Sequence, residues 1–371
     1  MNNYINIQLV KKEKIRNTNI DFIRIAGMLT IIIHHILVHG EALFKYKNYS
    51  LVNILYVLSM WHVSSFGIVS GIVGNKTHKF SNLLYLWFMT EFYLILFYII
   101  YNKQTKFLKN KAFITYLFPV IHKKYWYFTC YFGIYPFLPF INSGISKLPQ
   151  IVLKKISYFM IGIFFIWSSL YSDVFSQNSG LSPFSLLIFY IFGAYISKYI
   201  FYQKKQIICK IIICFICLFI FITISLITYW INIKKLFPKI NPNIKNLFQT
   251  RINSIPMLLQ VFSFIIFVAQ INFNKYISKI ITFIGPLVFD IYLIHENPFI
   301  RIIFIKKYFT KYSNGLKLFY VCILIFKGAL YIFCISLFIA YIRSIIFRTL
   351  RIRIISIKFE LLITKLLYYF I

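Results

Sequence analysis

The sequence predicts an all-α integral membrane protein, about ten transmembrane helices in a single bundle with short loops and a basic amphipathic C-terminal tail. Three observations carry that expectation. Hydrophobic residues make up 60% of the 371 and charged residues only 13%, whereas a soluble domain is about half apolar and a quarter charged. Mean hydropathy is +0.75. The apolar residues are gathered into runs of about 20, the length that crosses a hydrocarbon core.

In chain order the runs fall near 20–39, 51–73, 82–101, 124–142, 156–170, 183–200, 207–231, 254–271, 280–298 and 319–342. The first follows the basic stretch Lys11 to Arg16 and has no small-residue cleavage pattern, so it is expected to remain as a span. The fourth and ninth contain Pro136, Pro139, Pro286 and Pro298, which membrane helices tolerate where neighbours satisfy the freed carbonyls. Residues 344–371 are basic and amphipathic and are expected to lie in the interface. The sequence shows no internal repeat, long linker or second domain, so 1–371 reads as one unit.

An even number of spans puts both termini on one side. Lys and Arg divide almost equally between the two sets of loops, so the positive-inside rule is decided by the flanks. Lys11, Lys12, Lys14 and Arg16 precede the first span, and Arg343, Arg348, Arg351 and Arg353 follow the last, which points to cytoplasmic termini in a plasma or inner membrane. The formal charge of +33 would suggest nucleic acid in a soluble chain. Here the bases lie between spans and read as membrane-surface chemistry, with the bilayer as partner. Six cysteines lie in apolar stretches, including Cys214-Phe-Ile-Cys217. They read as buried thiols rather than a redox or zinc site, and no metal is expected.

Ionisable groups inside spans are costly and therefore informative. The first span carries Asp21, Arg24, His34 and His35. Asp21 and Arg24 are i, i+3 and can pair on one face. Arg24 and His35 are eleven residues apart, close to three turns, and share a face about 16 Å apart along the axis, while His34 points about 100° away. An imidazole can take a hydroxyl proton near neutral pH, and a guanidinium can hold a phosphate or a developing oxyanion. Elsewhere, either His295 with Tyr292 (i, i+3) completes a cavity, or His295 is a histidine hydrogen-bonded at the interface. Asp290 is expected to bridge to Lys327, His62 to sit at the interface beside Trp61, and His39, His78 and His122 to be solvated.

Asp21-Phe-Ile-Arg24 followed by His35 resembles the opening helix of acyltransferase family 3, integral-membrane acyltransferases that modify surface polysaccharides and related glycans. Four more stretches resemble the family in its order. They are Phe66-Gly-Ile-Val-Ser70-Gly71, Tyr125-Trp126-Tyr127-Phe128 running on to Asn142, Gly180-Leu-Ser182 with Phe189 to Ile196, and Ile291-Tyr292-Leu-Ile-His295-Glu-Asn297-Pro298. The resemblance implies transfer of an acetyl or similar short acyl group from acetyl-coenzyme A, as co-substrate entering from the cytosol, to a hydroxyl of a glycan or lipid-linked sugar. It makes His35 the catalytic histidine and Arg24 its partner. Asp21, Ser70, Tyr292 and His295 would support them, and Arg24, Lys76 and Lys79 would bind the coenzyme. The sequence departs from the family pattern at Ser65, Ile72 and Asp290, and Lys76-Thr-His78-Lys79 stands where a basic pair is expected. A glycan transporter or flippase would show paired halves with broken helices, which this sequence lacks. An inactive scaffold would not need Asp21, Arg24 and His35 together. The acceptor sugar and oligomeric state are not written in the sequence.

Overall fold

A computed structural model describes residues 16–370 apart from 75–78, 106–114, 172–174, 202–205, 234–241, 307 and 313–314. Helices of eight residues or more are numbered in chain order. They are α1 Thr18–Val38, α2 Ser50–Ser59, α3 His62–Gly74, α4 Phe80–Thr105, α5 Trp126–Ile134, α6 Leu138–Lys147 and α7 Gln150–Ile161, then α8 Pro183–Ile196, α9 Ile207–Thr228, α10 Ile255–Ala269, α11 Lys275–Ile284, α12 Val288–His295, α13 Leu318–Thr349 and α14 Ile352–Phe370. No strand occurs among the described residues.

Among the described residues, seven segments are long and apolar enough to cross a membrane: Thr18–Val38, Ser50–Gly74, Phe80–Ile100, Gln150–Leu170, Ile207–Ile231, Lys275–His295 and Leu318–Thr349. The expected count of about ten is not confirmed. The three remaining runs are helical as well but are not among these seven. Around 124–142, α5 and α6 are joined through the 3-10 turn Tyr135–Phe137, which contains Pro136. At 183–200, α8 begins at Pro183 and runs on into the π-helical turn Ser197–Phe201, and at 254–271 α10 is an apolar helix of 15 residues with Pro256 in its first turn.

The centre of the bundle is α1, which packs on α3, α13, α11, α2, α12 and α10. Its start is set by Asn17, whose side chain accepts from the N–H groups of Asn19 and Ile20 at 3.0 and 3.2 Å, and Asp21 in the first turn suits the helix dipole. Asn19 Nδ2 donates to the carbonyls of Val268 and Ile271, so α11 starts beside the start of α1. Beyond α11, α12 runs beside α1 in the same direction, since Asp21 lies against Gly285 before α12 and His35 against Glu296 after it.

The tightest seam is between α3 and α8. A Cβ built on Gly71 would lie 1.9 Å from the Tyr190 carbonyl oxygen, and one on Gly193 1.9 Å from that of Ile68. Only glycine lets two backbones meet this closely, the usual packing device inside a bilayer. By contrast α9 turns most of its side chains outward, among them Phe215 and Phe219 at 70% exposure, a surface that suits lipid.

The last span runs on to Thr349, so residues 344–349 belong to α13 and not to the tail. Arg351, in the left-handed region at φ 52°, ends the run, and α14 then folds back onto α4. Glu360 accepts from the Phe80 N–H, and Arg353 bonds Asn82 and covers the Tyr85 ring. Asp290 pairs with Arg343 of α13, not with Lys327: the guanidinium donates to both carboxylate oxygens, and Tyr93 donates to one at 2.9 Å. Both partners are almost fully buried, and the longer reach of Arg with its planar fork favours it over Lys. The cysteines are free among the described residues, and only Cys130 and Cys217 are buried; Cys209 and Cys334 face outward. Apolar surroundings in a membrane helix can be lipid as well as core.

Candidate functional site

Between α1, α3, α5 and α12 lies a cavity of about 350 Å³ whose lining includes both Arg24 and His35. The eleven-residue spacing along α1 thus does put the two on one face of the bundle interior. Arg24 lies at one end. Its Nη1 donates to Asp21 Oδ1 at 3.1 Å, and Arg16 donates to the same carboxylate through Nε at 2.8 Å and Nη2 at 2.7 Å. Asp21 is buried, while the two arginine side chains stay partly open, 43% for Arg16 and 26% for Arg24. One carboxylate holding two guanidiniums leaves a net positive charge at this end, and both arginines line the cavity. A Cβ on Gly285 would lie 2.4 Å from Asp21 Cγ, so α11 closes directly over the carboxylate.

The other end is built by His35 and the turn after α12. His35 Nδ1 is 2.8 Å from Glu296 Oε1. The approach lies outside hydrogen-bond geometry, and neither atom has another hydrogen-bond partner, so the contact is chiefly electrostatic. Arg301 Nη1 is 3.6 Å from the other carboxylate oxygen. With Nδ1 turned to Glu296, His35 keeps Nε2 for chemistry, the usual consequence of a carboxylate behind an imidazole. His295, fully buried, donates through Nδ1 to the Ile291 carbonyl at 2.7 Å and leaves Nε2 unpartnered. Its ring lies 5.4 Å from that of His35, and His39 lies 5.2 Å away on the other side. The ligand atoms of His35, His295 and Glu296 are within 4.8 Å of one another, a donor set able to take a divalent cation.

Aromatic side chains form the walls, among them Phe66, Trp126, Tyr127, Tyr131, Phe289 and Tyr292. Tyr125 fixes α5 against α12, donating to the Leu293 carbonyl at 2.8 Å and accepting from Asn297 at 3.1 Å.

Of the residues singled out in the sequence, Arg24, His35, Ser70 and Tyr292 line the cavity. Asp21 stands behind the arginines, and His295 stands behind His35. Lys79 is exposed, lies off the cavity and lends its carbonyl to the Tyr135 hydroxyl. Lys76 falls outside the described residues. His34 turns away as expected, bonding Ser59 Oγ at 3.0 Å and stacking on Tyr56. His62 is buried in the cavity wall instead of at an interface, tied to the Ser59 carbonyl. His39 is half-buried rather than solvated.

Two site residues escaped the sequence reading. Glu296, one position after His295 at the end of an apolar run, was visible as an intramembrane acid, but nothing in its neighbourhood named His35 as partner. Arg16 read as a topology signal, and its position five residues before Asp21 gave no sign of a second guanidinium on that carboxylate.

A family model described as an acyltransferase domain matches residues 17–354, nearly the whole chain. No curated protein and no solved structure matches it.

Proposed function

Since the chain belongs to acyltransferase family 3 and is a multi-pass membrane acyltransferase, we propose that it moves an acetyl or similar short acyl group from acyl-coenzyme A to a hydroxyl of a cell-envelope glycan or its lipid-linked precursor. One observation supports this reading above the others: a cationic end and a basic end of one cavity, set three helical turns apart on α1. Eleven residues advance about 16 Å along a helix. The phosphopantetheine arm has about thirteen bonds from phosphorus to sulfur, and at roughly 1.25 Å of advance per bond it also spans about 16 Å. A coenzyme with a phosphate on Arg16 and Arg24 would therefore bring its thioester to His35.

In this mechanism His35 Nε2 takes the proton of the acceptor hydroxyl, and the oxygen attacks the thioester carbonyl carbon. Glu296 stabilises the imidazolium that forms. The tetrahedral species then collapses, the carbon–sulfur bond breaks, and the thiolate leaves with the proton from His35. Arg16 and Arg24 hold the donor; the positive flank Lys11 to Arg16 suits entry from the cytoplasm. The phosphate site moves from the loop lysines of the sequence reading to Arg16 and Arg24, because Lys79 does not reach the cavity.

The test is transfer of radiolabelled acetyl from acetyl-coenzyme A to envelope glycans by the purified protein in vesicles, with mass spectrometry of glycans from cells with and without the gene. A gain of one acetyl mass that depends on the gene and on His35 is the expected result. Glycans of identical mass in both cells would defeat it.

A further inference from the structure

Acyl transfer puts a negative charge on the carbonyl oxygen of the thioester, and this charge is where an acyltransferase gains most of its rate. The sequence offered Arg24 for the task. The structure takes Arg24 out of reach: it is three turns from His35 and bound to Asp21. A different donor must serve the His35 end of the cavity.

The neutral donors are few. His62 gives its Nδ1 to the Ser59 carbonyl and His295 gives its own to the Ile291 carbonyl, so as neutral rings both present a bare nitrogen and no hydrogen to the site. Of the wall tyrosines Tyr127, Tyr131 and Tyr292, it is Tyr292 that stands against the His295 ring. It is one helical turn before Glu296, about 6 Å along the axis, its ring centroid is 6.2 Å from that of His295, and it lines the same cavity as His35 and Glu296.

Its hydrogen bonding fixes which way it works. The backbone N–H of Tyr127 donates to Tyr292 Oη at 3.3 Å. Tyr127 is the second residue of α5, so that N–H is one of the unpaired donors at a helix start, where the helix dipole is positive. A phenol oxygen that accepts there keeps its own hydrogen to give and is polarised towards giving it. The ring is wedged between Tyr125, Tyr127 and Phe289, with centroids 5.9 to 6.1 Å away, so the hydroxyl is held in place before substrate arrives.

Building on the acyl-transfer reading, we propose that Tyr292 is a catalytic residue whose hydroxyl, backed by the N-terminus of α5, donates the hydrogen bond that stabilises the thioester oxyanion. As the acceptor oxygen attacks, the carbonyl electron pair moves to oxygen and Tyr292 O–H bonds to it. When the carbonyl re-forms and the carbon–sulfur bond breaks, the hydrogen bond weakens and the tyrosine keeps its proton throughout. The position of Tyr292, on the Arg24 side of His35, is the side from which the thioester would come.

The test compares Tyr292→Phe with His35→Ala and the parent protein, using acetyl- and fluoroacetyl-coenzyme A. Removal of one oxygen leaves the ring packing in place. The expected result is a fall in kcat of about 10²-fold or more with acetyl-coenzyme A and a KM for donor within about twofold of the parent, as for a contact made only in the transition state. Fluorine withdraws electrons and stabilises the oxyanion by itself, so the penalty should shrink with fluoroacetyl-coenzyme A, which a merely structural defect would not do. Tyr292→Phe at parental kcat, or an equal loss with both donors, overturns the proposal while His35→Ala stays inactive. Full activity of His35→Ala overturns the acyl-transfer mechanism underneath it.

Discussion

Helices α1 and α9 are of similar length and both are long and apolar enough to cross a membrane, yet they share little else. The α1 span has mean hydropathy 1.7 with half of it buried in protein, whereas the span beginning with α9 reaches 3.1 with 6% buried. The more apolar helix is the less buried, the reverse of a soluble protein, because its solvent is lipid and apolar side chains gain nothing by leaving it. Along its length α1 carries Asp21, Arg24, His34 and His35, the first buried and the others partly buried; α9 has only Lys210. Inside a bilayer, lower hydropathy marks where the chemistry is.

The comparison can be broken most directly at His35. His35→Ala should cost 10²–10⁴ in acyl transfer, the usual range for a lost general base, measured with radiolabelled donor on protein that still inserts. A smaller loss is expected at the opposite end of the same face. Arg24→Lys should raise the KM for donor about tenfold, since a point charge cannot reproduce two-pronged binding to phosphate or keep its place on Asp21; an unchanged KM would put the phosphates elsewhere. Glu296→Gln should lower kcat by about 10- to 100-fold, the range for losing a carboxylate behind a working histidine, with KM unaltered. His34→Ala, on the neighbouring face at nearly the same depth, should keep activity within about threefold and lose about 1 kcal/mol of stability with the Ser59 hydrogen bond, read from thermal unfolding in detergent. Smallest of all, Phe215→Ala or Phe219→Ala on the outward face of α9 should leave turnover unchanged, and a clear loss there would mean that α9 touches more than lipid.

What the sequence makes legible follows from distance along the chain. The shared face of Arg24 and His35 is a property of one helix and can be counted from periodicity. The meeting of His35 with Glu296 joins α1 to the end of α12, and of Asp290 with Arg343 joins α12 to α13; neither is set by any local rule. Where several cations could answer one acid, as Lys327 and Arg343 could answer Asp290, packing decides. The number of spans is less legible, since a hydropathy window does not register the 3-10 turns that Pro136 and Pro286 make within apolar runs. Lys79 stands off the cavity that Arg24 and His35 line, and no local rule says which of the many cations in this chain lie near it.

The glycine seam between α3 and α8 bears on how the chain tolerates change. Gly71 and Gly193 touch no cavity atom, yet the next residue before Gly71 is Ser70, and Phe66 lies one turn further back, both in the cavity wall. A single methyl at either glycine would meet a carbonyl oxygen at 1.9 Å where ordinary contact begins at 3.4 Å, and the backbone cannot yield as a flexible side chain can. The helices would have to part, carrying the wall with them. A saturation mutagenesis screen for activity should therefore find these two positions as intolerant as those of the reacting groups, and a substrate-bound structure alone would give no reason why.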